Sequence, residues 1–97
     1  MGAIEEASKY GLRPDGTPKG KGWLGELKRP DGQVSTELSV QFDDVLGGKP
    51  IPLLVPTLQP KEVEYLLKGN RATPEIIQKA VDHANGRAKL GLSPFAE

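Results

Sequence analysis

The chain has no cysteine among its 97 residues, which excludes disulfides, thiolate nucleophiles and every thiolate metal site, and leaves packing alone to stabilise it. Histidine occurs once, at position 83, so a histidine pair or a two-histidine metal site cannot be built within one chain. Excess charge is also missing. Thirteen basic and thirteen acidic residues cancel, so no global field draws the chain to nucleic acid or anionic lipid, and nucleic acid is disfavoured as a partner. No apolar run approaches the roughly 20 residues that cross a bilayer, so no membrane contact is expected. The opening Met1-Gly2-Ala3-Ile4-Glu5-Glu6 carries acid where a signal peptide carries base, so a soluble, unexported protein is expected. None of the serines sits in a Gly-x-Ser-x-Gly turn, and Asp43-Asp44 lacks the spacing of a calcium loop. These absences together predict no enzyme, no catalytic residues, no metal and no cofactor.

What is present points to a small folded domain rich in turns. Leu, Ile, Val and Phe supply 24 residues, enough for one core, while 12 glycines and 9 prolines demand frequent reversals. Val34, Thr36, Leu38, Val40 and Phe42 alternate with polar residues, the period of a half-buried strand whose outer face carries Ser35, Glu37 and Ser39. Residues 22–28 join it through Arg29-Pro30-Asp31-Gly32, a turn in which proline presets the first dihedral and glycine the left-handed exit. A four-residue loop would pair Lys28 with Gln33 and is preferred. A three-residue loop with a glycine bulge would shift the register and bring Leu24 inward. Residues 50–55 form a third strand, set at a sheet edge by Pro50 and Pro52. Two helices follow, one from Pro60 to a stop at Gly69, the other from a Thr73 cap to about Gly91, with Phe95 as a C-terminal anchor.

The expected fold class is therefore α+β: an antiparallel three-stranded β-meander packed against two C-terminal helices, with an extended N-terminal arm. The arm is residues 1–21, including a short helix over 1–10, and the domain proper is residues 22–97. Arg-Pro-Asp-Gly occurs at both 13–16 and 29–32, which turn chemistry explains better than duplication. Between positions 9 and 29 the local charge balance is +4, the one asymmetry in the chain. Arg13, Lys19, Lys21, Lys28 and Arg29 are accordingly the expected partner-binding residues, together with Trp23, which reads either as core filler or as an interface anchor. His83 lies at the border of an apolar helical stripe, where a locally hydrogen-bonded histidine is expected.

Five blocks carry a further signal: Gly16-Thr17-Pro18-Lys19-Gly20-x-Gly22, Arg29-Pro30-Asp31-Gly32-x-x-Ser35-Thr36-Glu37, Ile51-Pro52-x-Leu54-Val55-Pro56-Thr57-Leu58, Lys79-Ala80-Val81-x-His83-Ala84 and Ser93-Pro94-Phe95-Ala96. Together they resemble a small domain of tailed-phage and prophage proteins, found in virion-associated and polyvalent proteins, to which no activity is assigned. The resemblance implies a non-enzymatic structural or accessory protein that contacts other virion proteins in capsid, tail or ejection machinery, with a homo-oligomer in a symmetric assembly also open. A phage-encoded inhibitor or modulator of a host protein is the alternative. A nucleic-acid accessory protein using the basic 9–29 segment is a third reading. Gln59 stands where similar sequences carry a hydroxyl or acidic residue, which should weaken the cap of the first helix.

Overall fold

The hydrophobic run Pro50–Val55 is buried along its whole length, with Ile51, Leu54 and Val55 fully inaccessible, and the rest of the chain is arranged around it. The computed structural model describes residues 10–96, so the helix expected over 1–10 lies, Tyr10 apart, outside the described residues. Within them the order is β1 (Leu27–Lys28), β2 (Val34–Ser35), β3 (Ser39–Val40), a 3-10 turn (Leu46–Gly48), β4 (Ile51–Pro52), α1 (Pro60–Leu67) and α2 (Pro74–Lys89). The fold is small α+β, with two antiparallel two-stranded sheets, β1–β2 and β3–β4, and two helices.

The expected middle strand is split. Its first part pairs with β1 and its second with β4, and between them Leu38 adopts a left-handed backbone with φ of 51°. The backbone carbonyl of Glu37 at this break accepts from the amides of Leu53 and Leu54, both at 3.1 Å. A break of this kind re-aims side chains, and here it buries three consecutive residues, Ser35, Thr36 and Glu37, where strict alternation would expose two.

The β1–β2 register also differs from the preferred expectation. Leu27 faces Ser35, Lys28 faces Val34 and the Arg29 amide donates to the Gln33 carbonyl, so the loop has three residues, 30–32, and Gly32, at φ of 87°, makes the bulge. Slipping a strand by one residue exchanges its faces. Val34 accordingly is 47% exposed, Ser35 is buried, and Leu24 packs against the core.

The two helices stand as expected. Thr73 caps α2 by accepting from the amide of Ile76 at 3.2 Å, Pro74 begins it, and Ile76, Ala80 and Ala84 are buried against Ile51 and Leu54. The small alanines let α2 lie close across β4. Gly91, left-handed, closes α2: its amide donates to Ala88 and the amide of Leu92 to Arg87, both at 3.0 Å. Leu92 nonetheless stays exposed, and Phe95 is the residue that docks. Gln59 proves no handicap for α1, because Glu62 reaches back to its amide at 2.8 Å and also binds Lys79 of α2 at 2.6 Å. That pairing holds the Glu62 carboxyl below the usual carboxylate range, the amide of Gln59 contributing most and Lys79 next.

Candidate functional site

The two Arg-Pro-Asp-Gly segments fold alike. At 13–17, the amide of Arg13 donates to the Thr17 carbonyl at 2.7 Å, that of Gly16 to Arg13 at 2.9 Å, and that of Thr17 to the Asp15 carboxylate at 3.0 Å. At 29–33 the matching bonds run from Arg29 to Gln33 at 2.7 Å, Gly32 to Arg29 at 2.9 Å, and Gln33 to Asp31 at 2.9 Å. Identical turn chemistry thus gives identical turns, and the arginines differ only in what surrounds them. Thr17 also donates its hydroxyl to Asp15, and these two bonds hold the Asp15 carboxyl below its ordinary value.

Arg13 is turned inward. Its Nε donates to one oxygen of Glu37 at 2.9 Å and its Nη2 to the other at 2.8 Å, the two-pronged geometry that suits guanidinium to carboxylate. Glu37 is only 1% exposed and gains a third bond from the Gly20 amide at 2.9 Å. The guanidinium lies 3.8 Å from the centre of the Phe95 ring. One buried carboxylate therefore joins the first turn, the middle strand and the C-terminal tail. This corrects the expectation that Glu37 lies on an outer face, and it fastens the described part of the segment expected as an arm over 1–21 to the domain through Arg13 and Gly20. The turn also bridges Leu12 to Pro18 in antiparallel fashion, and Gly22 closes it against the middle strand.

Trp23 is half-buried and committed to the same clasp. Its indole N–H donates to the Pro94 carbonyl at 3.0 Å, its ring meets His83 edge-on at 4.8 Å, and the Arg87 guanidinium sits 4.7 Å from its centre. Arg87 in turn donates to the Ser93 carbonyl at 2.8 Å. Trp23 thus docks the tail, so a binding defect in Trp23→Ala would report lost tail docking before lost partner contact.

His83 has a buried Nδ1 with no hydrogen-bond partner among the described residues. The expected local hydrogen bond at that nitrogen is not formed, since the ring is held by Trp23. Burial, and secondarily the nearby Arg87 charge, lower its pKa from the ordinary value of about 6.5. A proton then binds the unfolded chain better than the folded one. The stability supplied by neutral His83 is complete above about pH 6.5 and falls as pH drops below it toward the lower folded value. Thermal melts between pH 7.5 and 5.5 are expected to show this decline, and His83→Phe to flatten it; an unchanged slope in the variant would contradict the assignment.

Of the expected partner-binding residues, the structure brings Lys19 and Arg29 to one cavity, and Lys28 and Arg29 to another beside Leu67 and Lys68. Arg13 lies elsewhere, lining a cavity of about 560 Å³ with Thr17, Lys49 and Phe95. Lys21 and Lys28 are exposed, and neither they nor Lys19 have an ion-pair partner among the described residues. Thr36 is buried as expected, whereas Ser35 and Glu37 escaped sequence reasoning because the preferred hairpin register faced them to solvent. The glycine-bulge register was the signal that turns them inward. Among the described residues no cluster of acids and histidine is suited to hold a metal ion, and no helix is long and apolar enough to cross a membrane. No protein-family model matches the chain, and no curated protein or solved structure resembles it closely enough to count as a match.

Proposed function

We propose that the chain is a non-enzymatic accessory protein of a phage particle, a rigid adaptor that grips a neighbouring virion protein through Lys19, Lys21, Lys28 and Arg29. The observation that carries this reading is the division of labour among the basic residues. Arg13 is consumed inside by Glu37, whereas Lys19, Lys21 and Lys28 have no ion-pair partner among the described residues. The resemblance to phage proteins supports the setting. Four of its blocks meet at the clasp, through Gly20 and Gly22, Thr36 and Glu37, His83, and Ser93 to Phe95, which suits a pattern selected for architecture rather than for catalysis.

Exposed lysines contribute to association mainly through charge complementarity, which salt screens. Mass spectrometry of purified particles is expected to find the chain at a fixed copy number. Lys21→Glu with Lys28→Glu is expected to reduce its incorporation about tenfold, a change worth about 1.4 kcal/mol. Absence from particles, together with a one-to-one complex with a host protein, would replace this reading with that of a host-directed modulator.

A further inference from the structure

We infer that the cavity between the first turn and the β1–β2 hairpin receives the carboxylate of an acidic side chain offered by a protein partner. This deepens the reading above and rests on it for the class of partner. The cavity measures about 200 Å³ and is lined by Tyr10, Lys19, Arg29, Gln33, Ser35 and Thr36 among others. It is smaller than the roughly 300–1,000 Å³ typical of small-molecule sites, and so suits the end of one side chain better than a nucleotide.

The charge in the lining matches one negative charge. Arg29 is compensated by Asp31, whose carboxylate lies 3.6 Å from its Nε, and its Nη2 donates to Gln33 at 2.6 Å. Tyr10 is engaged through its hydroxyl with Glu26. Lys19 has no ion-pair partner among the described residues, so it leaves one positive charge to satisfy. A carboxylate supplies one charge, whereas a phosphate monoester near neutral pH carries about 1.5 to 2.

A second observation concerns hydrogen bonding. Buried polar atoms in folded proteins are normally hydrogen-bonded, yet two residues in the wall of this cavity have a buried atom with no hydrogen bond among the described residues, Oγ1 of Thr36 and Nε of Arg29, the latter only ion-paired with Asp31. Thr36 is 2% exposed. The site is also preorganised. The amide of Lys19 donates to the Gly11 carbonyl at 3.0 Å, the next amide is fixed on Glu37, and Arg29 begins a closed turn. Little ordering is left for binding to cost.

The test is an amide chemical-shift titration of the full chain with acetyl-Ala-Glu-Ala-amide, acetyl-Ala-Gln-Ala-amide, inorganic phosphate and a single-stranded oligonucleotide. The glutamate peptide is expected to move the amides of Lys19, Gln33, Ser35 and Thr36 and to saturate. Loss of the charge, in the glutamine peptide or in Lys19→Gln, is expected to weaken binding about tenfold, in line with removal of one charge-assisted hydrogen bond. Arg29→Gln should weaken it as well. No shift at these amides, an equal shift with the glutamine peptide, or tighter binding of phosphate or the oligonucleotide would overturn the inference. The peptide result is independent of whether the chain enters a particle, so failure of this inference and failure of the virion reading are separable.

Discussion

Arg13→Ala is expected to lower the unfolding free energy by about 3–5 kcal/mol, the usual cost of stripping one partner from a buried ion pair. The reason is the asymmetry of the clasp: Glu37 is nearly inaccessible, so without the guanidinium its carboxylate keeps, among the described residues, only the bond from the Gly20 backbone amide. For a domain of this size, each kcal/mol moves the melting temperature by about 4–8 °C, so calorimetry should record a fall of about 12 °C or more. Arg13→Lys should recover only part of it, because an ammonium group cannot donate in two parallel prongs. Replacing both partners, as in Arg13→Leu with Glu37→Leu, should be milder than Arg13→Ala alone, since no unpaired charge is left inside. Equal melting temperatures for Arg13→Ala and the parent would show that the pair contributes nothing.

The second large effect is expected at Gly22. Its φ is 76°, and a Cβ there would lie 1.9 Å from the carbonyl oxygen of Thr36, a backbone atom that cannot swing aside. Gly22→Ala therefore combines a left-handed residue, about 1–2 kcal/mol, with overpacking of about 1–3 kcal/mol. Gly25 is the internal control. It has nearly the same φ, 78°, but nothing within 4 Å of its would-be Cβ, so Gly25→Ala should cost only the conformational part. Denaturant titrations of the two variants should differ by about 1–3 kcal/mol, the overpacking part. Similar midpoints would mean that the contact between Gly22 and Thr36 is not tight.

Elements whose causes are local could be read from the sequence. Thr73 followed by Pro74 announces a helix start, Gly91 a helix stop, and each Arg-Pro-Asp-Gly a reversal, because the physics lies within four or five residues. The middle strand was legible as extended chain but not in its inward face. Its apolar alternation continues through Leu38, while the backbone breaks there and the Glu37 side chain pairs with Arg13. No periodicity encodes an ion pair spanning 24 positions, and an acid that shares its strand face with Ser35 and Ser39 reads as solvent-facing. The same blind spot covers the basic segment. Arg13 and Arg29 sit in identical tetrapeptides, yet one is spent on the buried Glu37 and the other on the exposed Asp31 and on Gln33. Composition counts both as surface charge, and tertiary context alone separates them.

The clasp makes a single statement about the molecule: residues 13–22 belong to the folded body and move with it. The most direct measurement is amide hydrogen exchange at Gly20, whose N–H is donated to the buried Glu37 carboxylate. Protection at Gly20 comparable to that at Leu53 and Leu54, and its loss in Arg13→Ala, is the predicted result. Exchange at Gly20 as fast as in an unstructured peptide, while Leu53 and Leu54 remain protected, would contradict it.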